Sequence, residues 1–359
     1  MRGPSMRIRS ALWAVLGLIC GSLVVTPARA EDKCMICHGK SELARTERTG
    51  RKVPLFVDST VLDHSVHAEK KCTDCHVDVV VIPHQAPEKV NCRRCHYAGN
   101  TVGAPDGDLY DQYEHSVHGM EVAAGNPKAP VCQDCHGTHD VLAPNIAESR
   151  FSHQNLPKTC GTCHIDIYAT YKESVHGVAL ANGVTDAPNC ANCHGEHNIQ
   201  RPSNETSKVA PANVTATCSD CHGHKGVASK YGIKTDRTET FEESFHGVAQ
   251  IMQNTMVANC ASCHGYHDIL PEEDPQSSIN PANIPNTCGK AGCHPEATAR
   301  FASGQIHVNP KSEEAGILYY ISRSFMILTV SVLIGLIGFI LLDLYRRARA
   351  ARVGRGRAK

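Results

Sequence analysis

The sequence predicts a fold of short α-helices and irregular segments with few or no strands, followed by one C-terminal transmembrane helix. The chain of 359 residues contains 19 cysteines, 28 glycines and 19 prolines, which leaves little sequence for long regular elements. Residues 325–342 read FMILTVSVLIGLIGFILL, an unbroken apolar stretch. Together with its apolar upstream neighbours, this stretch is long enough to cross a membrane as a helix.

Eighteen of the cysteines form nine pairs, and a histidine follows each pair at once. Eight pairs have the spacing C-x-x-C-H, whereas four residues separate Cys288 and Cys293 in the ninth. Two thiols at such spacing can add to the two vinyl groups of one porphyrin while the next imidazole reaches the iron. A redox dithiol, a zinc site or a disulfide scaffold would not need a histidine after every second cysteine. The pattern therefore predicts nine covalently attached haem c groups.

The predicted site residues follow directly from these motifs. The attachment cysteines are Cys34, Cys37, Cys72, Cys75, Cys92, Cys95, Cys132, Cys135, Cys160, Cys163, Cys190, Cys193, Cys218, Cys221, Cys260, Cys263, Cys288 and Cys293. The predicted proximal iron ligands are His38, His76, His96, His136, His164, His194, His222, His264 and His294. At about one haem per 30 residues, the porphyrins are expected to form the core in place of apolar side chains.

The motifs recur in pairs, with a linking tripeptide Ser-Val/Phe-His between the two members and a trailing histidine after the second. Modules of this kind span residues 34–84, 92–139, 160–197 and 218–267, and a half-module spans residues 288–307. Such tandem repeats predict an elongated, haem-cored domain. We expect helices at Tyr168–Gly177 and Thr238–Gly247, leading into the tripeptides, and linkers between modules at residues 200–216 and 271–287.

The repeat selects nine of the thirteen other histidines as candidate distal ligands. They are the linking histidines His67, His118, His176, His246 and His307, and the trailing histidines His84, His139, His197 and His267. Ordinary surface roles are expected for the four that do not recur, which are His64, His115, His153 and His224. Methionine is an alternative sixth ligand, but Met120, Met252 and Met256 do not recur between modules, which favours packing roles. The repeat alone does not assign a distal histidine to a particular haem.

The two ends of the chain predict its topology. Residues 1–30, including Cys20, are typical of a signal peptide, with an uncleaved anchor as the alternative. Residues 317–344 are the predicted transmembrane helix, and residues 345–359 form a basic tail that the positive-inside rule places in the cytoplasm. Residues 31–310 would then be a periplasmic domain anchored to the inner membrane by a single pass.

The predicted periplasmic domain is acidic, because residues 31–310 hold 33 acidic and 23 basic side chains. Haem propionates would add further negative charge. Docking partners with basic surfaces are therefore expected, and nucleic acid is not an expected partner.

The segments Glu173-Ser-Val-His-Gly and Cys190-Ala-Asn-Cys-His-Gly-Glu-His resemble multihaem c-type cytochromes of bacterial respiratory and extracellular electron-transfer chains. The resemblance covers nearly all of the predicted periplasmic part. It implies electron transfer between a membrane cytochrome b, or another quinol-oxidising subunit, and periplasmic redox proteins. The alternative is a reductase of a small inorganic anion, which needs one haem with an open position. Nine candidate ligands for nine haems favour the carrier, so no catalytic residue is predicted.

Overall fold

The computed structural model of the chain describes residues 32–47, 50–105, 107–290, 292–304 and 306–357. The predicted signal peptide, residues 1–30, lies outside these described residues. Within them the chain forms short helices joined by turns, one two-stranded sheet and one long C-terminal helix. The predicted fold class is confirmed.

Two compact units divide the chain. Unit 1 consists of the described residues up to Cys92 together with Thr138–Val141, and unit 2 consists of Arg93–Gly137 and the residues from Leu142 onward. The second module is therefore shared, because its trailing segment belongs to unit 1.

Unit 1 contains three short helices and the small sheet. Its elements are α1 (Asp32–His38), β1 (Ala44–Thr46), β2 (Lys52–Pro54), α2 (Ser59–Asp63) and α3 (Cys72–Cys75). The two strands are antiparallel, with Arg45 opposite Val53. The Asp58 carboxylate caps α2 by accepting the backbone N–H of Thr60 at 2.9 Å. A 3₁₀ turn, Cys92–Arg94, follows.

Unit 2 contains the remaining helices. They are α4 (Leu109–Glu114), α5 (Val117–Ala123), α6 (Cys132–His136), α7 (Leu156–Gly161), α8 (Ile165–Glu173), α9 (Val175–Ala181), α10 (Cys190–His194), α11 (Val214–His222), α12 (Lys225–Ala228), α13 (Arg237–Glu242), α14 (Phe245–Ile251), α15 (Cys260–His264), α16 (Ile284–Cys288), α17 (Ala299–Ala302) and α18 (Ile317–Arg357). Two 3₁₀ turns lie at Ser229–Tyr231 and Glu313–Ala315.

The serine of each linking tripeptide in unit 2 ends one helix and caps the next. The hydroxyl of Ser174 donates to the Tyr171 carbonyl at 2.7 Å and accepts the Gly177 N–H at 3.1 Å. Ser116 and Ser244 make the equivalent pair of bonds. Each serine thus satisfies a carbonyl at a helix end and an N–H at a helix start, both of which lack partners within their own helix.

The two helices expected to be continuous, Tyr168–Gly177 and Thr238–Gly247, are each broken at the serine. The reason is the extended backbone of Ser174, with φ −72° and ψ 162°, which is required of an N-cap residue. The helices α8 and α9, on either side of Ser174, approach so closely that a Cβ on Gly177 would lie 2.1 Å from the Tyr171 carbonyl oxygen. Gly119, Gly177 and Gly247, which follow His118, His176 and His246, are therefore required by packing.

The stretches expected to be linkers, residues 200–216 and 271–287, are ordered chains of turns that run into α11 and α16. In the first, the backbone N–H groups of residues 204, 207, 210 and 213 each donate to the carbonyl three residues earlier. Ser207 is 3 % exposed, and the Asn213 amide donates to the carbonyls of Glu205 and Ser207 at 2.8 Å. Both segments are thus ordered, because these side chains supply the bonds that hold the turns together, and their role as linkers between modules stays a prediction.

The described residues bury few apolar side chains. Leu180, Ala187, Ala210, Ala228 and Phe241 are the buried hydrophobic residues, and the largest fully buried side chains are Ser116, Ser149, Ser174 and Ser277. A domain of this size normally buries a large apolar core. This small core fits the expectation that bound porphyrins complete it.

The C-terminal helix α18 is long and apolar enough to cross a membrane. Its candidate span is Ile317–Ala350, in which the most apolar 18-residue stretch has a mean hydropathy of 2.8 and no buried residue. The hydroxyls of Thr329 and Ser331 donate to carbonyls one turn earlier, which satisfies them within the helix. The helix extends beyond the predicted limit at residue 344, so most of the basic tail is helical.

We predict that Ser174→Ala destabilises the protein by about 1–3 kcal/mol, because the buried Gly177 N–H loses its acceptor and the Tyr171 carbonyl loses one of its two donors. Chemical denaturation of the purified full-length protein measures this change. Ser203→Ala, at an exposed position, is the matched control and should leave the midpoint unchanged. Equal midpoints for the two variants would contradict the capping role.

Candidate haem sites

The short helices α6, α10 and α15 each begin at the first cysteine of a motif and end at its histidine. Residues three apart on a helix share a face, so the two thiols of a motif point the same way. Asn189 fixes the start of α10, since its side chain accepts the Ala191 N–H at 3.0 Å while its own N–H donates to Asn192. The arrangement presents two thiols and an imidazole within one helical turn.

The long ninth motif shares one backbone hydrogen bond with a short motif. The N–H of His294 donates to the carbonyl of Cys288 at 3.0 Å, as the N–H of His164 does to Cys160 at 3.0 Å in a short motif. Gly292 in the loop has φ +86°, a conformation that a side chain would disfavour. The longer spacer is therefore compatible with the same attachment chemistry.

Eight of the nine predicted proximal histidines lie opposite a predicted distal histidine, with ring centroids 5.9–6.3 Å apart. Unit 1 holds the pairs His38–His84 and His76–His139. Unit 2 holds His118–His164, His136–His197, His176–His222, His194–His267, His246–His294 and His264–His307. His67 belongs to unit 1 and His96 to unit 2, and their roles stay predictions.

The spacing of these pairs fits an iron held between two imidazoles. A metal bound by one nitrogen of each ring at about 2 Å, with ~1 Å more to each ring centre, separates the centroids by roughly 6 Å. Among the described residues, no group of three or more His, Cys, Asp or Glu side chains is placed to hold a metal ion. Two protein ligands per metal suit haem, whose porphyrin supplies the other donors.

The pairs join neighbouring modules in a fixed register. In unit 2 the proximal histidine of a module's first motif lies opposite the linking histidine of the module before it, as in His118–His164, His176–His222 and His246–His294. The proximal histidine of a second motif lies opposite the trailing histidine of the module after it, as in His76–His139, His136–His197 and His194–His267. The exception is His38–His84, which closes within module one.

A backbone hydrogen bond accompanies this exchange between modules. The residue after the tripeptide serine donates its N–H to a carbonyl two residues beyond the trailing histidine of the next module. Val117 donates to Ile199 at 2.8 Å, and Val175 donates to Ile269 at 2.9 Å. In unit 1, Val66 donates to Val141 at 2.8 Å. The bond holds the linking histidine of one module beside the trailing histidine of the next.

His307 occupies a different position from the one its alignment suggested. The repeat grouped it with the linking histidines, but it lies opposite His264, where the register places a trailing histidine. Its Nδ1 lies 3.2 Å from the Thr240 hydroxyl, and Arg237 donates to its carbonyl at 3.2 Å. The half-module lacks a second motif, so the sequence alone could not distinguish the two positions.

Burial favours the neutral form of several of the paired imidazoles. Burial, together with the nearby partner histidine, lowers the pKa of His136 and of His176 to about 4. Burial also lowers the pKa of His76, His118, His139, His194, His222, His246, His264, His267 and His307. Only a neutral imidazole can bind iron, so these surroundings favour ligation.

The predicted sites of unit 2 form a row in chain order. Within each module the two proximal histidines interact electrostatically, as His96 does with His136, His164 with His194 and His222 with His264. Between modules the motif cysteines are neighbours, as Cys135 is of Cys160, Cys193 of Cys221 and Cys263 of Cys288. Seven successive motifs are thereby linked without a gap.

Sequence reasoning missed one supporting network. His153, expected at the surface, is part-buried, and its ring lies 2.8 Å from the Ala187 carbonyl and 3.1 Å from the Asn189 amide. These contacts join the turn chain before module three to the second motif of that module. The sequence did contain a signal of this network, because an asparagine stands directly before the motifs at Cys190 and Cys260.

Residues 24–106 match the family of cytochrome c7 and related cytochrome c. The matched segment contains the motifs at Cys34, Cys72 and Cys92. The match supports covalently bound haem c and multihaem electron transfer. No curated protein and no solved structure matches the chain.

We predict that His197→Ala opens the haem on Cys132 and Cys135, in the preceding module, rather than the haem on Cys190 and Cys193. Electron paramagnetic resonance should show one new high-spin ferric signal. That signal should vanish when Cys132 and Cys135 are also replaced by alanine.

The matched control for this prediction is His64→Ala, which changes an exposed histidine outside the pairs and should give no high-spin signal. Persistence of the new signal after removal of the haem on Cys132 and Cys135 would contradict the register.

We predict that Thr240→Val raises the midpoint potential of one haem. The Thr240 hydroxyl donates to the Asp236 carbonyl at 2.8 Å, so it accepts from Nδ1 of His307. Without that acceptor the imidazole is a weaker donor to ferric iron. Spectroelectrochemical titration measures the shift. Thr238→Val, whose hydroxyl contacts Ser219 instead, should leave all potentials unchanged, and equal titrations for both variants would contradict this role.

Proposed function

We propose that the chain is a membrane-anchored periplasmic nonahaem cytochrome c. In this proposal it carries electrons between a membrane quinol or cytochrome b donor and periplasmic redox proteins. The paired histidines in a continuous row carry the proposal, because a one-electron conduit needs redox centres that are close together and six-coordinate.

Haem c supplies one-electron chemistry when it is bound. The residues of the chain would do three things for it. The motif cysteines would hold each porphyrin, and the histidine pairs would supply both axial ligands. The short helices and turn chains would fix the spacing of the sites, and burial of the imidazoles would limit access of water.

The anchor supports a donor in the membrane. The helix α18 contains no histidine, so it cannot hold a b-type haem between its own residues. Electrons would therefore come from a separate subunit, such as a cytochrome b or another quinol-oxidising protein. The basic residues from Arg346 onward support a cytoplasmic C-terminus and a periplasmic haem domain.

The alternative of an anion reductase requires a haem with an open distal position. The structure brings distal candidates opposite eight proximal histidines, which supports the carrier. No observation on the described residues favours the reductase.

The spectroscopic count of haems tests the proposal. We expect nine haems per chain by pyridine haemochrome assay and mass spectrometry, all low-spin in the ferric state by electron paramagnetic resonance. Because no site would be open, cyanide and nitrite should leave the spectrum unchanged.

A stoichiometric high-spin ferric signal in the unmodified protein, displaced by nitrite, would overturn the carrier in favour of the reductase. The His197→Ala variant serves as a positive control, since it should display such a signal.

A further inference from the structure

Modules two, three and four align without a gap around their linking tripeptides. Ser116, Ser174 and Ser244 each stand sixteen residues before the first cysteine of the second motif. After each tripeptide a seven-residue helix ends in an exposed turn, at residues 123–128, 181–186 and 251–256. Residues at matching positions of these turns can therefore be compared directly.

The turn of module four is apolar, whereas the other two are small or polar. Ile251 stands where the other modules have alanine, and Met252 stands where they have Ala124 and Asn182. Met256 replaces Lys128 and Asp186. The backbone is kept, since Gln253 has φ +63° where the other turns have glycine.

These three side chains are exposed by 69 %, 77 % and 87 % for Ile251, Met252 and Met256 respectively. A porphyrin does not account for their apolar character. The matching positions in module three carry Asn182 and Asp186, and the latter makes a surface ion pair with Lys230. The turn therefore faces away from the haem sites. Its exposed apolar side chains in module four indicate a contact with something outside the protein.

In module three this turn contacts the module that follows. The Asp186 carboxylate accepts hydrogen bonds from Lys230 and from the Tyr231 hydroxyl at 2.8 Å. In module two, Glu121, two residues before the turn, pairs at 2.6 Å with Arg201, which lies in the segment after module three. Module four is followed by a half-module and the membrane helix instead of a complete module.

The helix α13, which lies directly before α14, is tied to the segment preceding the membrane span. Lys311 Nζ lies 2.8 Å from Glu239 and 2.9 Å from Glu243, the last residue before Ser244. Five residues lie between Lys311 and Ile317, the first residue of α18, and α14 adds only about 10 Å along its axis. The turn is therefore close to the membrane surface if α18 is inserted.

We propose that Ile251, Met252 and Met256 dip into the outer lipid leaflet beside the anchor. The proposal rests on the membrane insertion of α18 proposed above. Unbranched methionine side chains adapt to an irregular apolar medium, and a shallow apolar contact of this type holds a protein face against a bilayer. The lipid would take the place that the next module takes against the turn of module three.

Site-specific photocrosslinking in the full-length protein tests this contact. Benzoylphenylalanine is placed at Met252, and the purified protein is reconstituted in nanodiscs of phosphatidylethanolamine and phosphatidylglycerol and irradiated. We expect phospholipid adducts by mass spectrometry, several-fold above those from the same probe at Asn182, the matching position of module three. A probe at Leu333 in the span reports insertion itself.

The outcomes separate the two proposals. Adducts at Leu333 without an excess at Met252 over Asn182 would overturn the lipid contact while leaving the anchor intact. Crosslinking at Met252 to a second protein in native membranes, in place of lipid, would also overturn it. Absence of adducts at Leu333 would remove the anchor and the lipid contact together.

Discussion

The opposition of two imidazoles from different modules is the constraint on which the rest of the structure depends. Apart from His38–His84, which closes within module one, each gap of about 6 Å has one histidine from a motif and another from a neighbouring module. The broken helices around Ser116, Ser174 and Ser244 deliver the linking histidines, and the backbone bonds from Val117 and Val175 fix the trailing ones beside them. The modules are therefore incomplete alone.

Polar contacts support this arrangement where most domains use apolar packing. Buried serines with both hydrogen-bonding capacities satisfied hold the turns at Ser149, Ser207 and Ser277. Each such hydroxyl costs desolvation unless it is bonded, so its bonds must be kept. The chain thereby orders its backbone tightly around the motifs while leaving space for large planar groups between them.

The sequence predicted the fold class, the motifs and the membrane helix because each depends on a local pattern. A haem motif is recognised from the spacing of two cysteines and a histidine within one helical turn. A membrane helix is recognised from the length of one apolar segment. The pairing register was not predictable, because it depends on which modules are neighbours in space. For the same reason His307 was grouped with the linking histidines, although the structure places it opposite His264. The serine breaks and the turn chains were missed because their signal is a side chain bonding to backbone groups several residues away, as in Asn213.

The register also dictates an order of assembly. In a chain exported N-terminus first, a first-motif site in unit 2 finds its second histidine already outside, since His118 precedes His164 and His176 precedes His222. A second-motif site obtains its second histidine only when the following module has emerged. The site at His264 needs His307, which lies ten residues before the first residue of α18. Maturation of the second-motif sites would therefore lag translocation by one module. If the chain is exported and anchored as proposed, the final ligand would become available just before α18 enters the membrane.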